Sequence, residues 1–333
     1  MITGVAGTEL SREEREFIDY ENPWGLILFA RNIDNPKQVH QLIDAFREGV
    51  GRADAPVLID QEGGRVQRLC PPHWSNYPSG RALGNIWKVD QKSGGRAIYL
   101  HSRLIAHDLR SLGINVDCMP VLDVPVAGSH DVIGDRAYST KAGDIAQMAR
   151  IACEGLLAGG VLPVVKHVPG HGRAGADSHL ELPRVETDRK TLERIDFLPF
   201  KKLCDMPMAM TAHVCYSALD AEQCATTSPG IVNDVIRGFI GFDGLLMSDD
   251  LSMKALNGDF ADRTESAFAA GCDVVLHCNG LMAEMAAIAS VCHVLQDKAA
   301  QRADSALARL LTPDEIDVDG LRMEFAQLLE IAA

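Results

Sequence analysis

The chain contains eight short stretches that are apolar almost throughout, and this repetition limits its possible folds more than any other feature. The stretches are residues 2–7, 25–30, 56–62, 115–123, 162–168, 209–214, 244–250 and 273–279. They are continuously apolar rather than apolar at alternate positions, which is typical of parallel strands covered by helices on both faces. We therefore expect eight β-strands, most of them separated by helices.

The segments between these stretches carry helix signals. Residues 11–20 read SREEREFIDY, in which Ser11 is followed three residues later by Glu14, as in a capping box. Pro36 stands at an early helical position in residues 35–50, where its missing amide proton is not needed. Further helical segments are expected at 91–112, 141–159, 189–204, 282–310 and 318–331.

Strands that alternate with helices in this way favour the α/β class and a single TIM-type (β/α)8 barrel. The chain shows no linker, low-complexity tract or shift in composition, so we expect residues 1–333 to form one barrel domain. The alternative is an open, doubly wound sheet, which normally carries a glycine-rich phosphate-binding turn after its first strand. Residues 4–10, which read GVAGTEL, do not match that pattern.

Charge and cysteine content restrict the partners and the compartment. A formal net charge of −14 repels polyanions, so nucleic acid is not an expected partner. The N-terminus lacks the pattern of a secretory signal, and no stretch approaches the roughly 20 apolar residues that span a bilayer. The nine cysteines are scattered and form no C-x-x-C motif, which suits a reducing compartment. We expect a cytoplasmic protein without membrane partners and, because no apolar helix face stands out, a monomer.

Most of the expected strands end in a polar residue. In a barrel these ends share one rim, so the side chains should converge there. They are Asp60, Asp123, Lys166, His167, His213, Asp249, Asp250 and Asn279. Two loops add arginines, namely Arg65 and Arg68 after a Gly63–Gly64 turn and Arg136 after the fourth strand. Arginine has fixed, forked donors that suit carboxylates or paired hydroxyls, and the pattern predicts a functional pocket.

Residues 166–179 read KHVPGHGRAGADSH and are open to several interpretations. His167, His171, Asp177 and His179 are acceptable metal ligands, but an adjacent lysine ammonium disfavours a metal. A Ser-His-Asp triad does not fit, because residues i and i+2 of an extended segment share a face while i+1 points away. A solvated polar loop is the default interpretation for any one of these residues.

The i, i+2 spacing of Asp177 and His179 favours a further interpretation, a carboxylate that orients an imidazole for proton transfer. The glycines of this segment would let the loop open and close. Such a pair needs a nucleophile, and the natural candidate is Asp249, although the apolar pattern does not separate it from Asp250. Together these groups suggest cleavage of a glycosidic bond, with the sugar hydroxyls held by Asp60, Arg68, Arg136, Lys166 and His167.

Five sequence blocks make the interpretation more specific. They are GLILFARN (25–32), DQEGGRVQR (60–68), VIGDRAYS (132–139), KHVPGHG with DSH (166–179) and GFDGLLMSDDLSM (241–253). With these blocks in this order, the chain resembles the family-3 glycoside hydrolases, of the bacterial cytoplasmic β-N-acetylhexosaminidase type. The resemblance implies a (β/α)8 barrel and neither a metal nor an organic cofactor. Larger members add a second domain that supplies the acid/base, and this chain has no room for one.

The resemblance also implies roles for individual residues. Asp249 matches the family's nucleophile, and His179 matches the general acid/base of a subgroup, with Asp177 behind it. The matching sugar-binding positions are Asp60, Arg68, Arg136, Lys166 and His167. The implied reaction is retaining exo-hydrolysis of terminal β-linked N-acetylglucosamine, notably on the 1,6-anhydro-muropeptides of cell-wall recycling, through a covalent glycosyl–aspartate.

Three alternatives remain open on the sequence. A phosphorylase would use the same groups, because a histidine acid/base lacks the negative charge that would repel phosphate. A metal-dependent barrel hydrolase and a sugar-binding barrel without catalytic activity are also possible.

Overall fold

The computed structural model describes residues 1–178 and 181–332 of the chain, and a closed barrel of eight parallel strands lies at its centre. In chain order the strands are β1 (Ile2–Thr3), β2 (Gly25–Leu28), β3 (Val57–Ile59), β4 (Val116–Asp117), β5 (Leu162–Val168), β6 (Arg184–Val185), β7 (Met208–Thr211), β8 (Cys215–Tyr216), β9 (Asp220–Cys224), β10 (Leu245–Asp250) and β11 (Val274–His277). The barrel runs β1-β2-β3-β4-β5-β7-β10-β11 and closes where β11 pairs with β1. Each of the eight apolar stretches contributes one barrel strand, which confirms the predicted α/β barrel.

Helices surround this barrel. They are α1 (Arg12–Glu21), α2 (Pro36–Gly49), α3 (Gly80–Val89), α4 (Gln91–Arg110), α5 (Ala142–Ala158), α6 (Arg189–Arg194), α7 (Leu198–Lys202), α8 (Phe260–Ala270), α9 (Met282–Ala289), α10 (Asp297–Leu307) and α11 (Val318–Leu329). A π-type helix covers Ile231–Ile240, and short 3-10 turns cover Ala30–Asn32, Gly134–Arg136 and Glu330–Ala332.

The strands are buried on both faces, and this explains why their sequences are continuously apolar. In β2, the side chain of Ile27 belongs to the cluster that fills the barrel. Its neighbours Leu26 and Leu28 face outward and pack in the layer between the strands and the helices. Successive side chains of a strand point to opposite faces, so a strand with water on neither side is apolar at most of its positions before its carboxyl end.

The helix signals of the sequence are confirmed at both N-termini that carried them. The Ser11 hydroxyl accepts a bond from the amide of Glu14 at 3.1 Å, and the Glu14 carboxylate accepts one from the amide of Ser11 at 2.7 Å. The second carboxylate oxygen of Glu14 accepts a bond from the amide of Ala6 at 2.8 Å, which ties the helix to the segment after β1. Pro36 is the first residue of α2, as expected.

Two long helices that the sequence predicted are each divided in the structure. Residues 189–204 form α6 and α7, because the chain turns after Arg194 and Pro199 opens a new helix. Residues 282–310 form α9 and α10, separated by a segment in which Val291 and Val294 are weak helix formers. Helices α3 and α8 and the π-type helix were not predicted.

A small sheet of order β6-β8-β9 was also not predicted, because β6 and β8 have only two residues each and β9 is short and mostly polar. Strand β6 pairs with β8 in parallel, and β8 pairs with β9 antiparallel. The amide of Cys215 also donates to the carbonyl of Pro183 at 2.9 Å. This sheet therefore fastens the chain that follows residues 166–179 to the segment that leaves β7.

Within the described parts of the chain, none of the helices combines the length and apolar character needed to cross a membrane. All nine cysteines carry free thiols, and Cys70 is the exposed one.

Candidate active site

A cavity of about 320 Å³ opens where the barrel strands end. Ile27, Met210 and Leu276, which belong to the cluster inside the barrel, form its floor. Seven of the eight candidate residues line it, namely Asp60, Arg68, Arg136, Lys166, His167, Asp177 and Asp249. The eighth, His179, lies outside the described residues. The convergence follows from the topology, because eight parallel strands end on the same rim.

Five charged side chains beside the cavity form a chain of alternating sign. The Lys166 ammonium lies 2.7 Å from an Asp60 oxygen and 2.6 Å from a Glu62 oxygen. Arg68 contacts the other oxygen of Asp60 at 3.1 Å. Arg136 contacts both oxygens of Glu62, through Nη2 at 2.7 Å and Nε at 2.9 Å. Three cations thus share two carboxylates.

The neighbouring charges keep these groups ionised in spite of their burial. Burial disfavours the carboxylate of Asp60, but Lys166 and Arg68 outweigh it and hold the pKa of Asp60 well below its usual range. Burial acts in the same direction on Glu62, where Arg136 and Lys166 lower the pKa to about 2. The ammonium of Lys166 is disfavoured by burial and favoured more strongly by Asp60 and Glu62, so its pKa is raised. At neutral pH the cluster therefore offers fixed donors and acceptors to a ligand rich in hydroxyls.

A buried carboxylate orients His167. Its Nδ1 lies 2.7 Å from one oxygen of Asp123, which has no exposed surface. The other oxygen accepts bonds from the amides of His171 at 2.6 Å and of His167 at 3.3 Å. Because Nδ1 is engaged, Nε2 is the nitrogen that His167 can present to the cavity. Asp123 itself does not line the cavity.

Asp249 and Asp250 both lie at the end of β10, and their surroundings differ. One oxygen of Asp250 accepts bonds from the amides of Ser252 at 3.0 Å and Cys278 at 3.1 Å, and the other accepts the Ser252 hydroxyl. Through these bonds the Asp250 carboxylate connects β10 to the loop that follows it and to the end of β11. Asp249 accepts the amide of Asp250 at 2.8 Å, and its own amide donates to the Thr211 hydroxyl at 3.3 Å.

Two strand irregularities bring neighbouring residues to the same cavity. In a regular strand, Lys166 and His167 would point to opposite faces, and so would Asp249 and Asp250. The register of β5 against β7 shifts between Lys166 and Val168, and that of β10 against β11 shifts between Met247 and Asp250. Bulges of this kind redirect side chains, and they allow both members of each pair to line the cavity.

The loop that follows β5 is fastened at several points. The carbonyl of Gly170 accepts the Tyr216 hydroxyl at 2.6 Å, and Arg173 Nε lies 2.7 and 2.9 Å from the two oxygens of Asp196. His171 Nε2 lies 3.3 Å from the hydroxyl of Ser178, whose carbonyl accepts the amide of Ala255 at 3.2 Å. These contacts place Asp177 and Ser178 at the cavity.

The glycines of this loop were expected to make it mobile, but two of them have different surroundings. A Cβ atom at Gly172 would lie 2.2 Å from the carbonyl oxygen of Val124, so this position is fixed by close packing. A Cβ atom at Gly175 would meet nothing within 4 Å. Only the second position has the free space that the sequence interpretation assumed for the loop.

Three of the polar residues at strand ends do not reach the cavity. Asp123 holds His167, as described above. His213 is hydrogen-bonded at both ring nitrogens, to the Thr226 hydroxyl at 2.7 Å and the Asp250 carbonyl at 3.0 Å. Asn279 donates to Glu284 at 3.1 Å. These three residues have structural roles, because their polar atoms are engaged by the surrounding elements.

Glu62 is the residue of this site that the sequence reasoning missed. It stands two positions after Asp60, so both side chains lie on the same face of an extended segment. The same i, i+2 spacing relates Asp177 to His179, and it could have predicted Glu62 as a residue of the site. Among the residues that the structure describes, no group of three or more His, Cys, Asp or Glu side chains is arranged to hold a metal ion.

Comparison with known proteins agrees with this geometry. A family model described as the glycosyl hydrolase family 3 N terminal domain matches residues 2–312. A curated protein of Alkalilimnicola ehrlichii named beta-hexosaminidase is 38% identical over 283 residues, which cover 84% of this chain and 80% of that protein.

Two solved structures extend the comparison. NagZ from Neisseria gonorrhoeae in complex with N-trifluoroacetyl-D-glucosamine is 30% identical with a TM-score of 0.87, over 100% of this chain and 98% of that chain. A family 3 β-N-acetylglucosaminidase of a Paenibacillus species is 29% identical with a TM-score of 0.80, and this chain spans 61% of its length. The resemblance seen in the five sequence blocks is thereby confirmed.

The two loop glycines give a matched pair of variants. We expect Gly172→Ala to lower the free energy of unfolding by about 1–3 kcal/mol, because the new methyl group must displace the backbone at Val124. Gly175→Ala should change it by less than about 0.5 kcal/mol, since the position is open. Urea unfolding of both variants measures the difference. Equal effects at the two positions would contradict the packing role of Gly172.

Proposed function

The chain belongs to glycosyl hydrolase family 3 and is a glycoside hydrolase of the β-hexosaminidase type, and on this basis we propose that it releases terminal β-linked N-acetylglucosamine from peptidoglycan fragments, with retention of configuration. The observation that carries the proposal is the shared cavity. The carboxylate of Asp249 and the loop residues Asp177 and Ser178, which directly precede His179 in the sequence, line it together with the charged cluster.

In this proposal the Asp249 carboxylate is the nucleophile. One of its oxygens attacks the anomeric carbon, and the bond from that carbon to the glycosidic oxygen breaks. The product of this step is a glycosyl ester of Asp249. Asp250 is the poorer candidate, because its two oxygens already accept bonds from Ser252 and Cys278. Those bonds disfavour attack by Asp250 and support the choice of Asp249.

In this proposal His179, which stands two positions after Asp177 in the sequence, carries the proton in both halves of the reaction. The imidazolium first donates its proton to the leaving glycosidic oxygen. The neutral imidazole then takes a proton from the water that attacks the anomeric carbon, and the Asp249 ester is cleaved. An unperturbed imidazole titrates near pH ~6.5, so both forms are accessible at neutral pH. An aspartate partner fixes the tautomer and favours the protonated form.

The charged cluster holds the sugar. Lys166, Arg68 and Arg136 offer donors, while Asp60 offers acceptors, and the mutual ion pairs keep these groups in place before the ligand arrives. His167 adds a ring nitrogen that Asp123 orients. The apolar floor closes the inner end of the cavity. Its volume is at the lower end of the roughly 300–1,000 Å³ found for small-molecule sites, which favours removal of one terminal sugar.

The outer part of the cavity supports a substrate with an acidic second unit. Arg65 lines the cavity, and although its Nε pairs with Asp135 at 3.0 Å, its side chain is 45% exposed, against 25% for Arg68 and 12% for Arg136. It lies beside Val66, Val132 and Ile133, which give the rim apolar surface. A muropeptide presents a lactyl group and peptide carboxylates next to its N-acetylglucosamine. This combination suits an outer cation on an apolar rim.

The proposal extends to the setting of the reaction. Residues 1–333 act as one catalytic barrel domain and as a monomer, and the described site residues all come from barrel strands and the loops that follow them. Free thiols suit the reducing cytoplasm, where we place the reaction.

We expect Asp249→Asn to reduce turnover of an aryl β-N-acetylglucosaminide by at least about 10³-fold, because an amide is a poor nucleophile. A fluorinated N-acetylglucosaminide that slows hydrolysis of the intermediate should label Asp249, and peptide mass spectrometry locates the label. The matched control is Asp250→Asn, which should lower stability and leave the label on Asp249. A label on any other residue, or normal turnover by Asp249→Asn, would remove Asp249 from this role.

His179→Ala should reduce kcat/KM by on the order of 10²–10⁴-fold on substrates with poor leaving groups. The loss should be much smaller with dinitrophenol, which departs without a proton. His40→Ala is the matched control, because His40 also pairs with an aspartate, Asp44 at 3.0 Å, on the exposed surface of α2. A loss that is independent of the leaving group would count against proton donation by His179.

The substrate class is tested with two disaccharides. We expect kcat/KM for N-acetylglucosaminyl-1,6-anhydro-N-acetylmuramic acid to exceed that for chitobiose, which lacks the carboxylate, by about 10-fold, one charge-assisted contact being worth about 1–2 kcal/mol. Equal rates would contradict the peptidoglycan assignment.

The products should be the same with and without phosphate. N-acetylglucosamine 1-phosphate as the main product would make the protein a phosphorylase.

A further inference from the structure

Glu62 is a buried carboxylate that the reaction described above does not use. It follows β3, and its side chain is only 6% exposed. It does not line the cavity, and both groups that it contacts do. Burying a charged carboxylate costs free energy unless ion pairs and hydrogen bonds offset the loss of water. The partners that Glu62 contacts therefore indicate its role.

The two partners come from different parts of the chain. Lys166 belongs to the barrel strand β5, and its ammonium lies 2.6 Å from Glu62 Oε1. Arg136 belongs to the short turn Gly134–Arg136, outside the barrel strands. Its guanidinium contacts both oxygens of Glu62, at 2.7 and 2.9 Å. A two-pronged contact fixes the orientation of a guanidinium as well as its position. Glu62 therefore links a loop cation to a strand cation.

The position of Glu62 is itself determined by a compact turn. The amide of Glu62 donates to the carbonyl of Val66 at 2.9 Å, and that of Gly64 donates to the carbonyl of Tyr77 at 2.8 Å. Gly63 has a φ of 89°, and a Cβ atom there would lie 2.3 Å from the carbonyl oxygen of Pro78. The turn is thus pressed against the segment before α3, which leaves Glu62 little freedom to move.

Removing Glu62 would leave Lys166 and Arg136 as like charges near each other in a buried environment. Lys166 would keep Asp60 as a partner, whereas Arg136 would lose its two-pronged contact and keep one to the Val132 carbonyl at 3.3 Å. We propose that Glu62 is the positioning residue of the sugar-binding cluster, because it holds Lys166 and Arg136 where they contact the bound N-acetylglucosamine. This role rests on the function proposed above, in which both cations bind the sugar.

The chain supplies a matched control at the opposite end of the barrel. Asp273 directly precedes β11, and its side chain is 5% exposed. It also joins two cations, Arg237 at 2.8 Å and Arg302 at 2.9 Å. Asp273 and Glu62 are therefore similar in burial and in the number of cationic partners. They differ in that the partners of Asp273 do not line the candidate active site.

The test compares Glu62→Gln, Glu62→Asp and Asp273→Asn with the unaltered protein. Thermal unfolding is measured together with KM for an aryl β-N-acetylglucosaminide and with the affinity for N-acetylglucosamine itself. We expect Glu62→Gln to raise KM and weaken this affinity by at least about 10-fold, because displacements of about 1 Å are costly in such sites. Asp273→Asn should lower the unfolding temperature and leave both quantities unchanged.

The pH dependence of affinity separates positioning from simple stabilisation. Burial and the nearby Arg136 lower the pKa of Lys166, and Asp60 and Glu62 raise it further than these lower it, so loss of Glu62 moves this pKa downward. As the pH is raised, the affinity of Glu62→Gln for N-acetylglucosamine should therefore begin to fall at a lower pH than the affinity of the unaltered protein does. Glu62→Asp keeps the charge, so its affinity should be reduced at pH 7 and remain level with pH.

The inference is overturned if Glu62→Gln behaves like Asp273→Asn, with a lower unfolding temperature and unchanged KM and affinity. If Glu62→Gln does not fold, Glu62→Asp decides the matter, and KM and affinity equal to those of the unaltered protein overturn the inference. An unaltered protein that fails to turn over any aryl β-N-acetylglucosaminide contradicts the proposed function instead. The affinity measurements then still decide the role of Glu62.

Discussion

The closure of eight parallel strands into a barrel is the constraint on which the rest of the structure depends. It requires each strand to be apolar on both faces, because one face fills the barrel and the other packs against helices, as Ile27 and its neighbours in β2 show. It also places all the carboxyl ends on one rim. Lys166 and Asp249, which are 83 positions apart in the sequence, become walls of one cavity only because β5 and β10 belong to the same closed sheet.

Buried charges at this rim are tolerated because their signs alternate. Asp60 and Glu62 each lie between two cations, with Lys166 between the two carboxylates. Removing water from such groups is costly, and each ion pair offsets part of that cost when the geometry is good. The result is a set of donors and acceptors that hold one another in place. The same alternation makes the cluster interdependent, so the loss of one charged group would disturb the positions of its neighbours.

The loop after β5 combines fixed and open positions. Gly172 packs against the backbone of Val124, and Arg173 is fastened to Asp196, whereas Gly175 has space around it. Close packing and free space thus alternate within a few residues of each other. Sequence alone does not separate these two uses of glycine, since a missing side chain serves close approach as well as backbone freedom. The neighbours in space decide between them.

The sequence determined the strands, most of the helices and the residue types at the strand ends, because continuous apolar runs, capping residues and a Pro36 at a helix start are local signals. The two-residue strands β6 and β8 are too short to produce an apolar run, so the sequence did not indicate them. The helical pattern also continued past Arg194 and Ala289, where the structure shows that α6 and α9 end.

What only the tertiary structure decided is which polar groups meet. It gave Asp249 and Asp250 different hydrogen-bond donors, and it turned Asp123 and His213 away from the cavity, where they hold other groups. It also brought Glu62 between Lys166 and Arg136. The physical reason is that the role of a carboxylate depends on the groups that donate hydrogen bonds to it or pair with it. Here those groups come from strands and loops that are distant in sequence and adjacent only in the closed barrel.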